Sequence, residues 1–157
     1  MADGTDTTIQ TSSTTTTQPA VCQLHTAGLA TIRKHNNLDV GKHLAAIGVA
    51  IQRGWINAAE QAGLLIEVGG IPPMSHFIFE HEQAPSLKSL FVQLMLEKGF
   101  LASTIFDAMY AHKFEHVDSY LEAVNDSFAK IAKAVEENKL LSLMKGKPTS
   151  VGFQRLT

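Results

Sequence analysis

Two histidines four residues apart are the pair whose types and spacing come nearest to a recognisable chemistry. On one helix His112 and His116 would share a face, and two imidazoles on one face can ligate zinc. His112 nevertheless precedes the predicted start of a helix, no third ligand is spaced nearby, and Glu115 is displaced around the helix from both rings. Because the chain has seven histidines, one such spacing is expected by coincidence, and we predict no metal site.

Two other patterns fall short of a catalytic or phosphate-binding motif. Cys22 is the single cysteine, which excludes an internal disulfide and a cysteine-based zinc site. His25 would share its helical face, which does not make a nucleophile and base pair. The stretch Gly69–Pro73 lacks the glycine spacing and the Lys-Ser/Thr pair of a phosphate-binding loop, so it predicts a turn between strands. The residues alone therefore predict no catalytic side chain.

The composition excludes several classes of partner. The 157 residues suit one domain, or a small domain with an arm, and 45% apolar residues are enough to bury a core. The net charge is -2, the pI is about 6.4, and the basic residues are spread along the chain, which disfavours nucleic acid and anionic membranes as partners. No run of about 18 apolar residues is present, and the N-terminus lacks the features of a secretory signal. Together with the single cysteine, these features favour a cytoplasmic protein.

The first third of the chain divides into an arm and two predicted helices. Eight threonines and two serines lie within the first 17 residues, and so polar a stretch cannot offset its ordering entropy. We therefore predict a flexible arm over residues 1–18. Helical spacing of apolar residues then predicts a linking helix over residues 19–35. The next helix is predicted to have Asp39 in its first turn and to run to Ala62, with Gly63 ending it.

Shorter elements are predicted after Gly63. In the second of two strands, alternation places Phe77 and Phe79 on one face and His76 and Ile78 on the other. The predicted elements are strands at Leu64–Val68, Met74–Glu80, Phe100–Ala102 and Ile105–Ala111, a helix through Leu87–Met95, a long helix at Phe114–Asn138 and a short turn at Leu140–Met144. Their order predicts an α/β fold of the α+β type, in which helices pack on a small, mainly antiparallel sheet.

Several short segments resemble one enzyme family. They are Ala27–Ile32, Asp39–Val40 with His43–Leu44, Met95–Ser103, Tyr110–His112, Tyr120–Val124 and Gly152–Leu156. No one of them is specific, but their order over more than 120 residues is similar to the last third of class III pyridoxal-phosphate (PLP) aminotransferases. Within that family, the chain resembles glutamate-1-semialdehyde 2,1-aminomutase and its near relatives. The resemblance implies that residues 19–157 form a C-terminal domain as in fold-type I PLP enzymes.

The resemblance also implies what such a domain does. In the family this region packs against the cofactor domain and closes one side of the substrate cleft. The lysine that forms the Schiff base with PLP, and the aspartate that pairs with the pyridine nitrogen, lie upstream of everything matched here. None of the ten lysines inherits that role, so the chain alone is expected to be inactive and not to hold PLP tightly. The expected partner is the missing large domain or a homodimer partner. A non-catalytic interaction module derived from this domain is the alternative.

One cofactor contact is implied by the resemblance. The family carries a Ser/Thr-rich turn ahead of its first matched helix, and its threonine reaches the cofactor phosphate of the neighbouring subunit. Ser12-Ser13-Thr14 is similar to that turn, which makes Thr14 the candidate, although Thr15 and Thr16 depart from the family pattern. Related ω-aminotransferases hold a substrate carboxylate with an arginine of this domain. The stretch Thr104–His112 has none and only Arg155 follows, which favours the aminomutase-like branch that forms 5-aminolevulinate.

Overall fold

The computed structural model describes the backbone of residues 18–148, and the side chains within that range from residue 25 onward. The chain divides between Asp39 and Val40 into two compact units. The described part of the first unit is a helix, α1 (Gln18–Asn37), on which Leu29 and Ile32 are exposed. A helix therefore forms over the residues for which the sequence predicted one.

The second unit contains the remaining elements and the sheet. They are α2 (Val40–Ala62), β1 (Ile66–Ile71), β2 (Met74–Phe79), α3 (Ala84–Glu97), β3 (Ile105–Asp107), α4 (Phe114–Glu136) and α5 (Leu140–Leu143). The strands form one sheet in the order β1-β2-β3, and both neighbouring pairs are antiparallel. The predicted fold class, helices packed on a small antiparallel sheet, is confirmed.

The ends of α2 follow from local chemistry. Asp39 has a φ of 46°, so it lies before the helix and not in its first turn as predicted. At the other end, Gly63 has a φ of 71°, and the Leu64 amide donates to the Ala59 carbonyl at 2.9 Å. A glycine in the left-handed region closes the last turn without the steric penalty of a side chain, as predicted from the sequence.

The core lies on one face of the sheet. Phe77 and Phe79 on β2 are 1% and 4% exposed, whereas the alternate residues His76 and Ile78 face outward, as the alternation predicted. The inward rings meet aromatic and aliphatic side chains from three helices. Those that contribute buried side chains to this core include Ile47, Ile51 and Trp55 on α2, Leu87, Leu90 and Phe91 on α3, and Val124, Phe128 and Ile131 on α4.

The first hairpin corrects the predicted strand bounds. The glycines Gly69 and Gly70 were expected to end the strand, but β1 continues through them to Ile71, and Pro72-Pro73 alone forms the loop. Gly70 has a φ of 89°, and a Cβ there would lie 2.3 Å from the Met74 carbonyl oxygen. Glycine therefore allows the ladder to continue through a backbone position that a side chain would block.

The third predicted pair of strands is also corrected. Phe100–Ala102 does not pair with the sheet, and the predicted strand Ile105–Ala111 ends at Asp107. The ladder is extended by single hydrogen bonds on either side, from the Phe77 amide to Thr104 and from the Ala108 amide to Pro73. Beyond Ala108 the chain turns toward α4, so the apolar residues there line a cleft and do not continue a strand.

Among residues 18–148, no helix is both long enough and apolar enough to cross a membrane.

Candidate functional site

A cleft of about 310 Å³ lies between β3 and the first two turns of α4, and we call it the histidine cleft. Its apolar wall is formed by Phe100, Leu101, Ala102, Ile105, Phe106, Met109 and Val117. Four polar side chains also line it: His112, His116, Tyr120 and Asp107. Apolar walls with a few convergent polar groups are the usual composition of a small-molecule site.

Tyr120 forms a polar contact at the buried side of the histidine cleft. The ring is 7% exposed, and the indole Nε1–H of the buried Trp55 donates to its hydroxyl oxygen at 3.1 Å. Burial raises the pKa of Tyr120 to about 12, so the phenol stays neutral at physiological pH. Because its oxygen accepts from Trp55, the hydroxyl proton is left to donate to a ligand in the cleft.

His112 is held in one tautomer by the backbone. The Met109 amide donates to its Nδ1 at 3.1 Å, so Nδ1 carries a lone pair and the ring proton is on Nε2. The ring lies 5.2 Å from the Phe106 ring, centroid to centroid. The largest cause that lowers the pKa of His112 is desolvation by burial, and the nearby His116 and His43 lower it further. The lowered pKa favours the neutral ring. Its carbonyl accepts from Nε2 of His43 at 2.9 Å, which ties this turn to α2.

His116 is fixed in the same way one turn further along. The Lys113 amide, at the N-cap of α4, donates to its Nδ1 at 3.3 Å. The side chain thus satisfies one of the amides that a helix N-terminus leaves without a helical partner. His116 therefore also carries its ring proton on Nε2, and the histidine cleft has two imidazole N–H donors beside the Tyr120 hydroxyl.

This pair of tautomers is poorly suited to a metal ion. A metal at Nε2 of His112 or His116 would require that nitrogen to lose its proton while Nδ1 still accepts from an amide. Neither ring nitrogen would then carry a proton, and an imidazolate is a costly species at neutral pH. Over residues 18–148, moreover, no group of three His, Cys, Asp or Glu side chains is placed to hold a metal.

Acidification should weaken the turn that carries the two histidines. Once protonated, His112 cannot accept from Met109, and its folded pKa lies below the ordinary value of about 6.5. Its contribution to stability is therefore complete above about 6.5 and is lost as the pH falls below that value. We expect a loss of about 1 kcal/mol between pH 7.5 and pH 5, the net worth of one hydrogen bond, measured by urea unfolding at each pH.

The His112→Asn variant separates the effect of His112 protonation on stability from that of the other groups that titrate. His112→Asn can present Oδ1 where Nδ1 accepts, and it does not titrate, so the acid loss should shrink. His76→Asn, which changes an exposed histidine on the outward face of β2, should leave the pH dependence as it is. An unchanged pH dependence in His112→Asn would contradict the role assigned to this ring.

The opposite face of the sheet is exposed in the described chain, and it carries four large apolar side chains together with Glu67, His76 and Asp107. Ile71, Met74, Ile78 and Ile105 are 64%, 61%, 53% and 58% exposed. The strand register places all four on one face, since Ile71 pairs with Met74 and His76 pairs with Ile105. We call these residues the outer sheet face. Exposed apolar side chains grouped in this way are typical of surfaces that contact protein, membrane or ligand.

No protein-family model matches this sequence. Its structure is similar to the PLP internal aldimine form of the FumI protein of Sphingopyxis sp. MTA144, with a TM-score of 0.62 and 20% sequence identity. The match covers 75% of this chain and 29% of FumI, so the chain spans less than a third of the protein it resembles. At this identity the likeness establishes the fold, which is that of part of a PLP-dependent protein.

The described residues do not fit a complete PLP site. A Schiff-base lysine must be partly deprotonated by its surroundings. All ten lysines lie within residues 18–148; nine are exposed, and the half-buried Lys98 pairs with Asp126 at 2.6 Å. A second groove, of about 510 Å³ between α3, α4 and α5, is lined by four lysines, but Lys145 and Lys139 pair there with Glu97 and Glu137.

Several residues singled out from the sequence cannot be placed. Thr14, the arm over residues 1–18 apart from the helical Gln18, and the terminal segment Gly152–Leu156 with Arg155 lie outside the described residues, as does the side chain of Cys22. His112 and His116 do come together, as lining residues of one cleft. The Trp55–Tyr120 hydrogen bond was missed, because 65 residues separate the two and no local pattern links them.

Proposed function

We propose that this chain is the C-terminal domain of a PLP-dependent aminotransferase of class III, of the kind that resembles glutamate-1-semialdehyde 2,1-aminomutase. The observation that carries the proposal is the shared fold with FumI, whose described form contains a PLP internal aldimine. The ordered sequence resemblance from Ala27 onward supports the narrower assignment to class III. The single cysteine supports a cytoplasmic location.

The outer sheet face is the surface by which we propose that the domain docks on a large, cofactor-bearing domain. The match covers 29% of FumI, so most of the FumI chain lies outside the matched part. In a protein of that type, this remaining part can cover the outer sheet face. A free-standing interaction module, the alternative function, would need polar residues in place of the apolar ones there. Glu67, His76 and Asp107 do lie on this face, but Ile71, Met74 and Ile78 are apolar and more than half exposed, which favours the docked domain.

In this role the chain contributes binding surface and not the reacting lysine. PLP, held by the large domain, supplies the electron sink for amino transfer. The residues of this chain close one side of the substrate cleft. Glutamate-1-semialdehyde, converted to 5-aminolevulinate, is the substrate that the sequence resemblance favours.

Borohydride reduction in the presence of PLP tests the missing lysine. The purified chain should give no stoichiometric lysine adduct, only slow and scattered labelling of exposed lysines, as read by mass spectrometry. The Lys98→Arg variant should label to the same extent, because Lys98 is held by Asp126. One lysine that trapped one equivalent of PLP would identify an active-site residue in this chain and overturn the proposal.

Complementation tests the docking. A glutamate-1-semialdehyde aminomutase truncated by its last third should bind the chain and regain PLP absorbance when the chain is added. Met74→Glu and Ile78→Glu should abolish that gain, whereas His76→Gln on the same face should preserve it. Failure of the wild-type chain to bind while it is folded by circular dichroism would argue against a docked domain.

A further inference from the structure

We propose that the histidine cleft is a binding site for a short aliphatic carboxylate. Its oxygens accept hydrogen bonds from Nε2–H of His112, Nε2–H of His116 and the hydroxyl of Tyr120. Its hydrocarbon chain lies against the apolar wall. The three donors and the apolar wall all lie within residues 40–148, so the inference goes beyond the proposed cofactor chemistry and does not depend on it.

The donors follow from hydrogen bonds already made elsewhere. The Met109 and Lys113 amides occupy Nδ1 of His112 and His116, which leaves Nε2–H on each ring as the group that can contact a ligand. Likewise, the Trp55 indole N–H donates to the Tyr120 oxygen, so the Tyr120 hydroxyl proton is left to donate to a ligand. Three donors in one cleft match a ligand group with several lone pairs, and a carboxylate offers about four.

The volume and the lining of the histidine cleft limit the size and the charge of the ligand. The volume of about 310 Å³ is at the small end of the range for ligand pockets, which suits a small molecule and not a nucleotide. The Phe100 and Phe106 rings lie 5.9 and 5.8 Å from the Tyr120 ring, so the aromatic wall reaches the donor hydroxyl. Among residues 25–148, no lysine or arginine lines the cleft, which disfavours a phosphate dianion.

Among the lining residues that the structure describes, Asp107 alone opposes this ligand. Its carboxylate is exposed on the strand that borders the cleft, and it would repel an anion through solvent. An ammonium ligand would favour Asp107 but would face three hydrogen-bond donors, so the number of donors decides for the carboxylate. The charge of Asp107 therefore sets a specific expectation, namely that its removal improves binding.

Hexanoate is the probe, with hexylamine and hexanol as matched controls of equal chain length. The buried Trp55 is the single tryptophan and bonds to Tyr120, so its fluorescence reports on the cleft, and proton–nitrogen spectra of the imidazoles report on each ring. At pH 7.5 we expect saturable hexanoate binding that shifts the Nε2–H signals of His112 and His116. Hexylamine and hexanol should bind at least tenfold more weakly.

Variants separate the donors from the fold. The double change His112→Asn with His116→Asn keeps an acceptor for each backbone amide but removes both Nε2–H donors, and it should weaken hexanoate binding by about tenfold or more. His116→Gln, which can place an amide N–H near the Nε2 position, should retain more affinity than His116→Asn. Asp107→Asn should tighten binding by about two- to fivefold.

Three results would overturn the inference. They are no shift of either Nε2–H signal at saturating hexanoate, hexanol binding as tight as hexanoate, or a folded double asparagine variant that binds like the wild type. Each of them leaves the borohydride and complementation results unaffected, because those experiments do not involve the histidine cleft donors. Failure of this site and failure of the docked-domain proposal can therefore be told apart.

Discussion

Phe77→Ala should lower the free energy of unfolding of the second unit by about 3–5 kcal/mol, the usual cost of removing a fully buried aromatic ring. The Phe77 ring is 1% exposed and stands at the centre of the aromatic core. Its edge-to-face neighbours are Trp55, Phe79, Phe91 and Phe128, at centroid distances of 4.9, 5.3, 5.3 and 5.6 Å. Truncation removes contacts to α2, α3 and α4 at once, so the cavity cannot be filled by the movement of one element.

Urea unfolding, followed by Trp55 fluorescence and by circular dichroism, measures this loss. Ile78→Ala is the matched control, because Ile78 is the next residue on β2 and points outward, and it should cost less than about 1 kcal/mol. If Phe77→Ala does not fold, Phe77→Leu keeps most of the volume and should fold with a smaller, measurable loss. Equal losses for Phe77→Ala and Ile78→Ala would mean that the core does not lie on the face assigned to it.

Gly48→Ala should be destabilising although alanine favours helices. Gly48 is buried in α2, and a Cβ there would lie 1.6 Å from the carbonyl oxygen and 2.1 Å from the carbonyl carbon of Pro72. Those are backbone atoms of the first hairpin loop, which cannot turn away as a side chain can. Overpacking typically costs about 1–3 kcal/mol and can cost more, against a helix-propensity gain of about 1, so we expect a net loss of about 2 kcal/mol.

Gly54→Ala, on the same helix, is the control for Gly48→Ala. A Cβ at Gly54 would meet the methyl groups of Leu121 at 2.3 and 2.4 Å and its Cγ at 2.9 Å, but all three atoms belong to a partly exposed side chain that can change its χ1 rotamer. The rotamer cost and the propensity gain should nearly cancel, so stability should stay within about 1 kcal/mol of the wild type. Thermal unfolding of both variants decides the matter, and a Gly48→Ala variant as stable as Gly54→Ala would refute the close packing of α2 on the hairpin.

The sequence predicted most of the helices and one strand closely. Helical spacing, with glycine at the end of α2, depends on neighbours within a few residues, and those are visible in the sequence. The same holds for β2, where alternation assigned Phe77 and Phe79 to the core. It also holds for α4, whose start at Phe114 placed His112 before the helix as predicted.

Strand bounds were predicted less well, because pairing partners decide where a strand ends. β1 continues through Gly69 and Gly70, since β2 supplies hydrogen-bond partners as far as Met74. Phe100–Ala102 has a strand-like composition but no paired neighbour, and β3 is correspondingly short. Composition describes what a segment prefers, whereas a ladder requires a second segment at the right register.

The sequence by itself determined the fold class, the alternation of core and surface on β2, and the resemblance to a PLP enzyme. Only the tertiary structure decided the chemistry of the histidine cleft. The sequence spacing of His112 and His116 predicted no metal site and assigned the pair no other role, whereas backbone amides at Met109 and Lys113 fix the rings as hydrogen-bond donors. Trp55 and Tyr120 acquire their roles by a contact across 65 residues. A tautomer and a donor direction depend on which group occupies the other end of the side chain, and residue spacing does not contain that information.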